Sequence, residues 1–135
     1  MLYPVSIKGV LLSPEDKVVL LRNERDEWEL PGGRLEPYET PQECLARECF
    51  EELNLQVNVG ELLDVWLFEV LPAKHVLIVA YGCKAYSLEG LQMSNEHKGV
   101  GLFSLEDLQQ LNLPKGYKQV IGTCLLPESA YRYEP

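Results

Sequence analysis

Glu48, Glu51 and Glu52 stand three and four residues apart, with Arg47 directly before them. On a helix that spacing gathers the side chains on one face, where like charges repel. Each such pair costs a few tenths of a kcal/mol, roughly what an opposite-charge pair gains. A divalent cation would turn the repulsion into binding, and grouped hard oxygen donors suit Mg²⁺ or Mn²⁺. An acidic helix face carrying an Arg47–Glu51 pair at i,i+4 spacing is the plainer alternative.

The helix that would carry these residues is legible on its own terms. Thr40-Pro41-Gln42-Glu43 supplies a cap, a first-turn proline and the glutamate of a capping box. The helix is expected to run to about Leu53 and to end at Asn54, because asparagine tolerates the left-handed C-cap conformation. At about 100° per residue, Leu45, Ala46, Cys49, Phe50 and Leu53 form an apolar sector. Cys44, Glu48, Glu51 and Glu52 form a separate one, flanked by Arg47. The first face is expected to be buried and the second, Glu52 included, to face solvent.

The run from Gly33 to Leu55 resembles the Nudix box: G, five residues, E, seven residues, R-E-U-x-E-E-x-G-U, with U a bulky aliphatic. Gly33, Glu39, Arg47, Glu48, Glu51, Glu52 and Leu55 are in register. Asn54 replaces the glycine and Cys49 the first U, and neither position supplies a ligand. The resemblance implies a Nudix-type α/β/α sandwich with a mixed β-sheet and a loop–helix–loop catalytic motif. It also implies hydrolysis of a nucleoside diphosphate linked to another group. By this resemblance Glu48, Glu51, Glu52 and the Gly32 carbonyl hold Mg²⁺ or Mn²⁺, Arg47 orients the catalytic glutamates, and Glu39 supports the loop. Glu96, in Ser94-Asn95-Glu96-His97-Lys98, matches the region where small MutT-type members supply a further acid. His97 is a lesser candidate for general acid–base work, and His75 a weaker one again.

The substrate expected is a small phosphorylated nucleotide, with a MutT-like nucleoside triphosphate pyrophosphohydrolase as the first reading. An ADP-ribose or nucleotide-sugar pyrophosphatase is the alternative: a downstream proline marks ADP-ribose hydrolases of the family, and Pro72 lies near that place. Pro72 also suits the turn Leu71-Pro72-Ala73-Lys74, and the short chain favours the first reading. A non-hydrolytic nucleotide-binding module is a third reading, disfavoured because all three ligand glutamates are present. Tyr3, Trp28, Trp66, Phe68, Tyr81 and Tyr117 are available for stacking on a base.

With 135 residues the chain suits one domain, taken as residues 1–135. A net charge of −9 speaks against nucleic acid as a partner. No apolar run is long enough to span a membrane. The N-terminus lacks the features of a signal peptide. Cys44, Cys49, Cys83 and Cys124 show no metal-ligand spacing and read as reduced thiols of a cytoplasmic monomer or homodimer. Cys44 is singled out because the wheel sets it beside the glutamates.

Strands are expected over Val5–Leu12, Lys17–Arg22, Trp28–Leu30, Gln56–Glu69 (as one strand or two), Lys74–Tyr86 and Lys98–Phe103. A short helix beginning at Ser104, and one over Lys115–Leu126, complete the pattern.

Overall fold

The computed structural model describes residues 2–125. Its strands are β1 (Val5–Leu12), β2 (Val18–Arg22), β3 (Trp28–Glu29), β4 (Gly32–Arg34), β5 (Val57–Leu71), β6 (Lys74–Ala85) and β7 (Gly99–Phe103). Two α-helices, α1 (Pro41–Leu53) and α2 (Lys115–Leu125), accompany them. One mixed sheet runs β3-β2-β1-β6-β5, with β4 paired to β1 and β7 to β2. Among the described residues only β1 and β6 pair in parallel, from Val5 opposite Leu77 to Leu12 opposite Lys84. The parallel pair demands a long crossover, and that crossover carries β2, β3, β4, α1 and β5.

Strand alternation divides the core in two. Ile7, Leu11, Val19, Leu21, Tyr81 and Cys83 face α1, where they pack on Leu45, Cys49 and Leu53. Val10, Val18, Leu20, Ile78 and Ala80 face α2, against Tyr117, Val120 and Ile121. Apolar residues on both faces of β1, β2 and β6 are what a sheet covered on both sides requires. The α/β/α sandwich expected from the sequence is the fold.

Several local expectations change. β3 stops at Glu29, because Leu30 turns into the core and accepts a hydrogen bond from Lys8. Gly32–Arg34 forms a strand on β1, which the double glycine concealed. β5 is a single strand, bent by register shifts between Val59 and Leu62, Leu62 and Asp64, and Glu69 and Leu71. Those irregularities are what made its sequence ambiguous. The segment after Ser104 closes as a 3-10 turn, Glu106–Gln110, with the Ser104 amide donating to Asp107 Oδ2 at 2.9 Å. Leu126 lies outside the described residues. Pro72 and Ala73 form the β5–β6 hairpin turn, with Ala73 at φ 65°.

The helix α1 is capped as its sequence demands. Thr40 Oγ1 accepts from the Glu43 amide, and Glu43 Oε1 accepts from the Thr40 amide. Asn54 takes the left-handed C-cap at φ 57° and ψ 35°, and its Nδ2 donates to Gly90 O at 3.1 Å. Phe50 departs from expectation: it is 56% exposed.

Asn54→Gly and Asn54→Ala both remove the bond to Gly90, so their difference isolates the backbone term. Alanine is expected to be less stable than glycine by about 1 kcal/mol, measured by urea denaturation.

Candidate active site

The chain enters α1 through a tight passage. Gly32 has φ 136°, a region that side chains rarely adopt, and a Cβ there would run into the Ile7 carbonyl. A Cβ on Gly33 would overlap the Glu48 carboxylate. The two glycines therefore let β4 lie flat on β1 and let Glu48 lie flat on β4.

Arg47 organises the exposed side of the site. Its Nε and Nη2 donate to the two oxygens of Glu39 at 2.7 and 3.0 Å. Nη1 donates to Glu48 Oε2 at 3.2 Å and Glu51 Oε1 at 3.1 Å, while Nη2 also reaches Arg34 O at 3.2 Å. The Arg47 hydrogen bonds, helped by the Glu36 amide, lower the Glu39 pKa to about 2. Burial raises the Glu48 pKa, against the opposing effect of Arg47.

Glu52 corrects the expectation of a solvent-facing residue. It is only 8% exposed, and the Gly32 amide donates to its Oε1 at 3.0 Å. Burial pushes its pKa up to about 7, with Lys8 and the Gly32 amide opposing. The helical wheel places Glu52 correctly beside Glu48 but cannot show that β4 folds over that side of the helix.

Cys44 sits beside this cluster yet is fully buried, with its thiol donating to Arg34 O at 3.4 Å. Burial, then the Glu39 charge, pushes its pKa up to about 12, so it remains a thiol rather than a nucleophile. Glu96 is exposed at the tip of a turn. Its loop is tied to the end of α1, where the Ser94 amide donates to Glu52 O at 2.9 Å. His97 points inward from the same loop, 3.2 Å from Glu29 Oε2. That hydrogen bond, against the effect of burial, raises the His97 pKa. His75 lines the cleft described below, packing edge-on to Tyr3 with ring centroids 6.2 Å apart and lying 4.0 Å from Glu69 Oε2.

Lys8 and Glu29 went unnoticed in the sequence. Lys8 is 8% exposed, opposite Gly32 in the β1–β4 register, and its Nζ donates to Leu30 O at 3.1 Å. Burial opposes its charge, but Tyr117, Glu29, Glu52 and Glu48 together raise its pKa. The signal was available: a lysine in mid-strand, within Val5-Ser-Ile-Lys-Gly-Val-Leu-Leu12. Lys8 and Glu29 line a cleft of about 530 Å³ on the α2 side of the sheet. Of the aromatic candidates, Tyr3, Phe68 and Tyr117 line this cleft. Trp28 packs on Phe103, Trp66 on Tyr117, and Tyr81 is buried against α1.

Among the described residues, no three Asp, Glu, His or Cys side chains already converge as a metal-binding group. Arg47 engages Glu48 and Glu51, while the Gly32 amide engages Glu52. In kind the donors fit Mg²⁺ or Mn²⁺: three carboxylates from successive turns of one helix, one of them buried at a cost in charge that a cation would offset.

The chain and its fold are similar to known proteins. A sequence model of the NUDIX domain matches residues 2–124. A MutT-like protein from Streptomyces ambofaciens is 41% identical over 66 residues, covering 48% of this chain and 43% of that protein. Diphosphoinositol polyphosphate phosphohydrolase 2 of Rattus norvegicus is 41% identical over 63 residues, covering 45% of this chain and 34% of that protein. The chain thus spans less than half the length of either relative. The MutT protein of Methanosarcina mazei Go1 superposes with a TM-score of 0.75 at 25% identity, covering 90% of this chain and 91% of that one. On the domain match, the shared fold and the glycine-to-glutamate passage into α1, this chain belongs to the NUDIX family.

Proposed function

We propose that this chain is a divalent-metal-dependent hydrolase that cleaves a phosphoanhydride bond of a nucleoside diphosphate linked to another group. Its first substrate class is MutT-like, the nucleoside triphosphates. One observation carries the reading: on α1, Glu48 lies against Gly33 and Glu52 against Gly32, with Glu51 tied to Glu48 through Arg47, and Lys8 joins that wall to a cleft of about 530 Å³. The Gly32 carbonyl, Glu48, Glu51 and Glu52 would hold Mg²⁺ or Mn²⁺, with Glu96 joining from its loop. Bound there, the ion neutralises phosphate charge and acidifies a water. Arg47 holds Glu48 and Glu51 in place through its anchor on Glu39. The cleft receives the part of the substrate that does not react, with Tyr3, Phe68 and Tyr117 offering aromatic surface.

The test is release of phosphate or pyrophosphate from nucleoside triphosphates, ADP-ribose, nucleotide sugars and dinucleoside polyphosphates. Each is assayed with Mg²⁺, with Mn²⁺ and with chelator. Turnover is expected in either metal and is expected to vanish with chelator. Nucleotide binding without turnover across the panel would replace the hydrolase by a binding module.

A further inference from the structure

We infer that the cleft on the α2 side is an anion site, so that a substrate carrying a further phosphate on the part that does not react binds more tightly than its counterpart without one. This inference rests on the hydrolase reading for the identity of the bond cleaved, but not for the binding itself. The charge distribution is the first support. The chain has 12 Lys and Arg against 21 Asp and Glu. Yet Lys8, Arg25, Arg34 and Lys74 line this one cleft against only Glu27 and Glu29. A third of the basic residues thus meet a tenth of the acidic ones.

Both acids are already engaged. Glu27 Oε1 accepts from Arg25 Nη2 at 3.3 Å, and Glu29 Oε2 pairs with His97 at 3.2 Å. Among the described residues the Arg34 guanidinium and the Lys74 ammonium make no hydrogen bond or ion pair; it is the Arg34 carbonyl, not its side chain, that accepts from Arg47.

Lys8 is the second support. An ammonium has three donors, and among the described residues Lys8 Nζ uses one of them, on Leu30 O. A cation this buried with donors to spare, lining a cleft, is prepared for an incoming oxyanion. A base or other flat group would rest on Tyr3, Phe68 and Tyr117 while its phosphate meets the basic rim. An unphosphorylated sugar or base leaves Arg34 and Lys74 to water.

Two matched pairs test the inference, each member differing from the other by one ribose phosphate: ADP-ribose with ADP-ribose 2′-phosphate, and dephospho-coenzyme A with coenzyme A. Affinity is measured by calorimetry with chelator present, so that no turnover is needed. The phosphorylated member of each pair is expected to bind at least about tenfold more tightly. The double variant Arg34→Gln/Lys74→Gln, both exposed positions, is expected to bring each pair close to parity while keeping the wild-type melting temperature. Parity in the wild-type protein would overturn the inference, and so would a preference that survives the double variant. Equal binding of both members, with both hydrolysed, would leave the proposed reaction standing and remove the anion site. Selective binding with no hydrolysis of any member would do the reverse.

Discussion

Glu52→Gln is expected to lower kcat by about 10²- to 10⁴-fold, the range for losing a positioned acid–base group. The stability of the variant should stay within about 1 kcal/mol of wild type. The two expectations have one structural origin. Glutamine keeps the oxygen that accepts from the Gly32 amide at 3.0 Å, so β4 stays anchored to α1. It removes the negative charge, which burial already disfavours, as the rise of its pKa to about 7 records. Glu52→Ala separates the effects, since it also strands the Gly32 amide and should cost about 1–3 kcal/mol. Steady-state kinetics at saturating Mg²⁺ and urea denaturation together decide the matter. A Glu52→Gln protein with wild-type turnover would refute the role assigned to the α1 glutamates.

Gly32→Ala has the largest expected effect on stability, about 4 kcal/mol or more. At φ 136° alanine is strained, and its Cβ would meet the Ile7 carbonyl, a backbone atom that cannot step aside. Domains of this kind have about 5–15 kcal/mol in hand, so the loss threatens the folded state at 37 °C. Gly33→Ala differs in kind. Its Cβ meets the Glu48 side chain, which can move, so the fold should survive while Glu48 leaves its position. Thermal melting ranks the two variants; a Gly32→Ala protein that melts with wild type would refute the close β1–β4 approach.

The parts of this protein legible in its residues are those governed by neighbours in the chain. The capping box at Thr40, the helical period to Leu53 and the left-handed Asn54 are local events, and each appears where its residues call for it. The grouping of Glu48, Glu51 and Glu52 beside Arg47 follows from 3.6 residues per turn and needs no further information. The alternation of strands with helices along the chain, and the resemblance of the Gly33–Leu55 run, imply the sandwich observed, in which apolar side chains cover both faces of the sheet. Phe50 shows the limit of such reading, since the wheel gives it an apolar azimuth but not whether anything packs over it, and it is left exposed.

What the tertiary structure alone decided is which groups lose water. Glu52 became buried because β4 pairs with β1 and lays the Gly32 amide against it. Lys8 became a buried cation because β1 is paired on both sides, with β4 opposite Gly32 and with β6 opposite Ala80, which puts it in mid-sheet where it donates to Leu30 and feels the charge of Tyr117. The cleft joins residues from the start of β1 to the start of α2, far apart in sequence. Helical periodicity sets the angle at which a side chain leaves its element. Desolvation and charge depend on what packs over that side chain, and in this chain the packing comes from strands 20 or more residues away, as in the Lys8–Leu30 and Gly32–Glu52 bonds.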